Sequence, residues 1–566
     1  MRPARRSVLR AAGAAAVLGF GTACARIPTD SPISSRELTG QSQPGAPYVR
    51  ALPPPADATA QEVVAGFVQA GVGSEDDFAV ARSYLTEEAS RDWDPTARIT
   101  IYSGSRELTV EEGEDGRLTL VLEVVALVDE RGVRGLLSSP SSREVEVSIE
   151  QVEEQWRLSE VPDGIFLSEA AFETLYGPAR LYFLDARRRH LVPDPRWFPL
   201  RRGAEAVLEG LAGGPSAYLD GAVVNELPQL PGVSEAVLST GVDGIARIAV
   251  PAPVADLPTA QRALALSQLE ASLRSLRTLS GVRLVLDGED VTLDEESRIE
   301  RALPGHRPIA AGPTGVISLS DPAAEEPEQL VPDFAEAAVD SPVIAQDGVL
   351  AAALAQDGSG VLIATTDGSL EAREAATGGT FVAPRVDDAG YVWTSTRTSP
   401  GALLALAGTD SDRDAKVDAP WLAGREVRGL DVAADATRMI VLSADSAGAR
   451  VDLCAVVRDA DGAPASLTEP MVVRTFLDDV TQAAWYDELA LIVLGTEPSS
   501  RERRGQIVDV VSGQEPLAAL EPGTDRIAGS AVAEAVWAGT TDGALLRGTG
   551  DGWTEVALQG HDPSFY

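Results

Sequence analysis

The side chains of this 566-residue chain that could do chemistry are few: two cysteines, three histidines, one lysine and one run of closely spaced carboxylates. The run Asp410-Ser411-Asp412-Arg413-Asp414 begins like a calcium loop, whose oxygen ligands alternate along the chain. Ala415 then stands where such a loop needs glycine for its turn, and Trp421 where a bidentate glutamate would close the shell, so the run reads as a solvated loop. Gly548-Thr549-Gly550-Asp551-Gly552 has the glycines of a phosphate cradle, but it lies between Leu545-Leu546 and Trp553 with no helix to follow and reads as a hairpin turn. His190, His306 and His561 lie far apart, show no zinc spacing and have no G-x-S-x-G elbow beside them, which leaves structural or surface roles. With Lys416 the only lysine, the P-loop lysine, the Schiff-base lysine and the Ser-Lys dyad have no other residue to use. No pair among the 86 acids stands out as a glycosidase couple. No catalytic, cofactor-binding or metal-binding residue is nominated, and the expectation is a protein that is not an enzyme and uses no cofactor.

The two cysteines have different settings. Cys454 sits in the alternating run Val451-Asp452-Leu453-Cys454-Ala455-Val456-Val457 and reads as an inert buried thiol in a strand. Cys24 follows Arg2, Arg5, Arg6 and Arg10, an apolar stretch from Ala11 to Phe20, and Gly21-Thr22-Ala23. That order of charged, apolar and small residues is an export signal, and it resembles a bacterial lipoprotein signal, which implies cleavage before Cys24 and lipidation of that residue. Gly21 departs from the leucine usual there, and an ordinary secretory signal with an incidental cysteine is the alternative. Arg5-Arg6-Ser7-Val8-Leu9-Arg10 also looks like a twin-arginine motif, although a plain basic segment fits equally well. The apolar stretch is too short to cross about 30 Å of hydrocarbon.

The formal charge is −39, and loss of residues 1–23 removes four arginines and no acid, which takes it to −43. A chain so acidic is repelled by nucleic acid and by anionic lipid surfaces, so membrane contact is expected through the lipid alone. Residues 24–57, rich in Ser, Pro, Gly and Gln, read as a flexible tether after the signal peptide 1–23.

Beyond the tether, Val63, Val64, Phe67 and Ala70 share a helical face, and a second helix is expected around Phe78 to Leu85, before Trp93-Asp94-Pro95. Alternating runs then follow from Ile99 to Leu158, giving an α+β domain over 58–167. A second α+β domain, 168–296, opens with the strand Ala179 to Leu184. It contains a helix stopped by Gly213-Gly214-Pro215, a hairpin about Asp243-Gly244, and a helix with Leu266, Leu269, Leu273 and Leu276 on its core face. After a connector, 297–315, the chain is read as all-β to residue 566. A turn acid followed by an apolar strand recurs at Asp347, Asp388, Asp435, Asp487 and Glu534, with spacings of 41, 47, 52 and 47. That is close to the length of a propeller blade, and closure into a β-propeller shelters strand edges, so a propeller of about five to seven blades is expected, with a β-sandwich the alternative. The connector's Arg298, Arg301 and Arg307, its prolines, and apolar candidates Ile309, Leu330 and Phe334 favour a docked propeller, the arginines pairing with acids such as Asp333 and Glu336 or with the acidic propeller surface. A merely extended connector between independent domains is the alternative.

The signal, Val80-Ala81-Arg82-Ser83-Tyr84-Leu85-Thr86 with Trp93-Asp94-Pro95, Gly213-Gly214-Pro215-Ser216, Gln268-Leu269 and the propeller, in that order, are together similar to the actinobacterial LpqB lipoproteins. The middle unit, from Ala179 to Leu293, resembles a GerMN domain through Leu181-Tyr182-Phe183-Leu184, Val192-Pro193 and Gly281-Val282. The resemblance implies a lipid-anchored protein on the outer face of the cell membrane. It also implies a partner, the extracytoplasmic part of an MtrB-like sensor histidine kinase, through which the MtrA response regulator and thereby cell-wall homeostasis and division are tuned. The competing expectation is a wall-acting propeller enzyme or a surface lipoprotein that binds cell-wall glycan.

Overall fold

The computed structural model describes residues 50–566 except 75, 105–107, 114–116, 228–235, 251, 287, 325, 336, 398, 512 and 551. Cys24, the signal peptide and residues 24–49 of the expected tether lie outside the described residues. The first helix, Ala60–Ala70, starts at a capping box: the Thr59 side chain accepts from the Glu62 N–H while the Glu62 carboxylate accepts from the Thr59 N–H. Its buried face, with Val63, Val64 and Phe67, packs on an antiparallel sheet in the order Gln155–Glu160, Arg134–Val152, Arg117–Asp129, Arg98–Tyr102. Ile165–Ser168 adds to the last of these in parallel. The expected second helix is two short ones, Ala79–Arg82 and Glu87–Asp92, separated where Thr86 caps the second by accepting from the Ala89 N–H.

The middle domain is built on the long hairpin Tyr176–Asp185 and Leu191–Pro199 and a second sheet in the order Val237–Thr240, Ile245–Ala249, Gly281–Leu286, Glu289–Val291. The helix Thr259–Arg274 packs its leucines into the core between them. Its buried polar side chains all have work: the Ser272 Oγ accepts from the Tyr182 N–H at 2.8 Å, and the Gln268 amide holds Asn225 and the Glu226 N–H. Gly213-Gly214-Pro215-Ser216 does more than stop a helix. Ser216 donates its N–H and its hydroxyl to Asp194, which is paired at 2.7 Å with an equally buried Arg196.

Six sheets follow one another around an axis. Their innermost strands are Val339–Ile344, Arg385–Val386, Glu426–Val432, Asp478–Trp485, Thr524–Ser530 and His561–Phe565. The first five sheets are built from consecutive strands, and the five turn acids read from the sequence all fall between the innermost and second strands of these five blades. The sixth is assembled from both ends of the region: His561–Phe565 pairs with Pro308–Gly312, which pairs with Gly315–Ser318. The stretch 297–315 is therefore a connector only in its first half; from Pro308 it is blade. Ile309, Leu330 and Phe334 accordingly pack inside the propeller against Val339 and Ile344, not between domains, and Asp333 accepts from the Ala372 N–H. Glu336 lies outside the described residues.

Candidate functional site

The turns between innermost and second strands all emerge at one end of the propeller, and on blades one to four they meet the middle domain and the connector. On blade one, the Gln346 amide donates to the Leu303 carbonyl. Blade two presents Asp388, which accepts from Arg187 Nη2 at 3.1 Å and lies 2.9 Å from His190 Nε2. Burial alone would raise the Asp388 pKa, but the hydrogen bond and charge of His190 and the Arg187 guanidinium outweigh it and hold it below the usual value. On blade three the turn residue Ala433 packs in one buried cluster with Tyr218, and Thr468, just after the outer strand Pro464–Leu467, donates to the Tyr218 carbonyl at 2.6 Å.

Blade four supplies Glu488, one residue beyond the expected turn acid. Its side chain is 2% exposed, and it accepts from Arg180 Nη1 at 3.1 Å and Tyr182 Oη at 3.0 Å, with Arg301 Nη1 at 3.6 Å. Burial first, and then the Glu488 charge, push the Tyr182 phenol up. Arg180 and Tyr182 reach the same carboxylate because residues two apart on a strand share a face. Around these polar contacts Val192, Tyr218, Leu219 and Ala222 of the middle domain join Ala433, Ile440, Leu442 and Trp485 of the propeller in one buried cluster. The first domain is tied in by the Trp197 N–H donating to the Gly132 carbonyl and by Arg131 donating to the Pro215 carbonyl, both at 2.8 Å.

Beside Glu488 the junction encloses a cavity of about 660 Å³, lined among others by Arg180, Arg274, Arg277, Arg298 and Arg301 against Glu270, Glu300 and Asp509. Glu270 holds Arg274 at 2.8 Å and Arg298 at 3.5 Å. Of the connector arginines, Arg301 thus reaches a propeller acid, Glu488, as one of the two expected pairings had it, whereas Arg298 pairs with Glu270 of the middle domain rather than with Asp333, and Arg307 lies over the Tyr566 ring.

Asp410 caps a single turn, Ser411–Arg413, by accepting from the Asp412 N–H, and Asp414 accepts from the Ala407 N–H, so these carboxylates serve their own loop. No group of three or more His, Cys, Asp or Glu among the described residues could hold a metal. Gly548 ends one strand and Trp553 begins the next, with the Thr549 N–H closing the turn on the Gly552 carbonyl; Asp551 is outside the described residues. Cys454 is fully buried, its thiol pushed up by burial, near the Met439 carbonyl. His190 sits at the junction, His561 on the sixth blade's innermost strand, and the His306 N–H donates to the Tyr566 carbonyl. No helix among the described residues is long and apolar enough to cross a membrane.

Three family models match in succession: "Lipoprotein LpqB, N-terminal domain" over 53–173, "Sporulation and spore germination" (Germane) over 180–292, and "Lipoprotein LpqB beta-propeller domain" over 319–565. The chain belongs to the LpqB lipoprotein family. A Lipoprotein LpqB of Cutibacterium acnes is 28% identical over 88% of this chain and 87% of its own length, and one of Streptomyces avermitilis is 25% identical over 99% and 98%. Among solved structures, YCF48 bound to D1 peptide (TM-score 0.28, 15% identity, 44% of this chain and 78% of that one) and the Myceliophteria thermophila Cps50 beta-propeller domain (TM-score 0.30, 11%, 45% and 83%) are similar in part. LpqB membership carries lipid-anchored membrane association with it. Sequence reasoning missed Glu488, Arg180 and Tyr182 as a junction. The available signal was a second acid directly after a turn acid, and an Arg-x-Tyr alternation inside an otherwise apolar strand.

Proposed function

We propose that this LpqB-family protein is a non-catalytic accessory lipoprotein, anchored through Cys24 on the extracytoplasmic face of the cell membrane. It binds the extracytoplasmic part of an MtrB-like sensor histidine kinase and modulates two-component signalling in cell-wall homeostasis and division. The partner follows from the family resemblance. The observation that supports a binding role is the junction itself: the turns of blades two and four and Thr468 of blade three are fastened to the GerMN domain, so a partner that grips one domain holds the orientation of the other. An interface of this kind, part apolar cluster and part buried polar contact, resists relative motion far better than the small wet contacts common between domains.

The test is reconstitution of the full-length lipoprotein with an MtrB-type kinase in proteoliposomes. The expected outcome is a changed rate of kinase autophosphorylation, with no release of fragments from peptidoglycan or model glycosides. Reproducible hydrolysis abolished by replacing one carboxylate would establish the second reading, a wall-acting or glycan-binding lipoprotein. That reading has the junction cavity in its favour, since about 660 Å³ is the size of a ligand site.

A further inference from the structure

The propeller axis has two different ends. Pro304 and Gly305 of the connector, with Tyr566, lie along the end that faces the GerMN domain, around an inner cavity of about 120 Å³. At the other end, formed by the N-terminal halves of the innermost strands, opens a cavity of about 300 Å³. The two cavities share Arg385, Gln482, Pro563 and Ser564 and so follow one another along the axis.

The outer cavity is lined by Arg385, Arg397, Arg428 and Arg526, with Asp562 the one acid lining it among the described residues, in a chain whose acids outnumber its bases by 39. Local backbone geometry helps to bring these residues there. The register between innermost and second strands slips at Val427/Gly429 and at Thr524/Arg526, which leaves Arg428 as the extra residue of one bulge and puts Arg526 at the edge of another. A bulge bends its strand and re-aims the side chains beside it.

The cations are only partly spent. Arg385 pairs with Asp431 at 3.0 Å, Arg428 with Glu426 at 3.4 Å and Arg526 with Asp562 at 2.9 Å. Asp525 also lies 3.6 Å from Arg526. Each of the three closest contacts is made through Nε, and a guanidinium carries five N–H donors, so donors remain for a further acceptor. Arg397 is exposed and has no ion-pair partner among the described residues. Deeper along the axis, Trp485 is among the residues lining the inner cavity, and its buried Nε1–H has no acceptor among the described residues. An unmet buried donor in a polar channel asks for an acceptor.

We propose that this open mouth is a binding site for a small oxyanion, a solute bearing a carboxylate or phosphate group, gripped by Arg397, Arg428 and Arg526. Planar guanidinium groups recognise both anions through paired N–H donors, and a cavity of about 300 Å³ is at the small end of ligand sites. The site goes beyond the proposed partner: it lies at the end of the propeller opposite the GerMN junction and requires no kinase.

The experiment is calorimetric titration of the detergent-solubilised full-length protein with succinate and, separately, inorganic phosphate, with ionic strength held constant by sodium chloride. Saturable binding of either anion, weakened about tenfold in R397A/R428A, is expected, the scale of one lost charge-assisted hydrogen bond. Arg91→Ala, on a remote helix, should bind like the parent. If the double variant no longer melts cooperatively, Arg397→Gln, at an exposed position, replaces it and should weaken binding by about threefold or more. No saturable binding of either anion, or unchanged affinity in a variant that melts like the parent, overturns the proposal.

Discussion

Glu488 and Asp562 show how single carboxylates hold this chain together, each for a different reason. Glu488 is buried, but Arg180 and Arg301 keep 37% and 48% of their side-chain surface exposed, so its removal would leave them solvated rather than stranded. The main loss would fall on the Tyr182 hydroxyl, which gives up its acceptor in a buried setting. Glu488→Ala should therefore cost about 1–3 kcal/mol, and Glu488→Gln, which keeps an acceptor, about half of that. Glu87→Ala, in an exposed pair with Arg91, should stay within about 0.5 kcal/mol, all three read as shifts in thermal midpoint. Asp562 accepts from the Ser341 N–H and hydroxyl and lies beside Arg526 and His561. Burial works to raise its pKa, but these partners hold it at about 2 against an ordinary 3.8. Its folded-state pKa is depressed, so its stabilisation is complete above about pH 4 and fades as the pH falls toward 2, amounting to about 2 kcal/mol at neutrality. Urea unfolding of parent and Asp562→Asn should differ by that amount at pH 7 and converge near pH 2; an equal gap at both would show that the carboxylate acts by shape alone.

Elements reveal where closure of the ring is decided. Strand His561–Phe565 is the innermost strand of a blade whose other strands come from residues 308–318, and the connector is locked to it because the His306 and Arg307 N–H groups both donate to the Tyr566 carbonyl. Gly305 sits so close that a Cβ there would lie 2.3 Å from Tyr566 backbone. Gly305→Ala should thus lower the thermal midpoint, by about 1–3 kcal/mol of lost stability, whereas Gly552→Ala, where a Cβ meets nothing within 4 Å, should change it little. The sixth blade was the element least legible in the sequence. The other five announce themselves by an acid in a short turn, whose carboxylate on blades one and three closes that turn, Asp347 accepting from the Val349 N–H and Asp435 from the Thr437 N–H, and such contacts leave a pattern over a few residues. A strand whose partner lies some 250 residues away leaves none, so Pro308–Gly312 read as connector. Its proline is informative only afterwards: it stands at the first position of the strand, where a missing N–H is tolerated. The leucine helix was legible because its core face repeats locally, while Glu488 was not, since its partners come from another domain.

At the scale of the whole molecule, attachment and rigidity are separable. With Cys24 as the proposed site of the lipid anchor, Cys24→Ser should move the protein into the medium or leave it unprocessed. A processed variant that stays in the membrane fraction after a salt wash would count against the anchor. Rigidity rests on the connector's backbone, which is tied at successive points. The Ile299 N–H donates to Ser267, the Glu300 carbonyl accepts from the Leu191 N–H, the Leu303 carbonyl accepts from Gln346, and the next links reach Tyr566. Trypsin needs a stretch of free extended chain, so Arg298, Arg301 and Arg307 can be cut only after several of these links open together, a local unfolding event rather than side-chain motion. Tryptic digestion should therefore cut the tether first, at the exposed Arg50, and leave one large fragment that runs intact through residues 298–307. Glu488→Ala, by loosening blade four from Arg180, Tyr182 and Arg301, should accelerate the connector cuts without touching the tether rate. Early appearance of separate GerMN-side and propeller-side fragments from the parent would mean that the two domains move independently, and a signal received by one would then need the partner to carry it to the other.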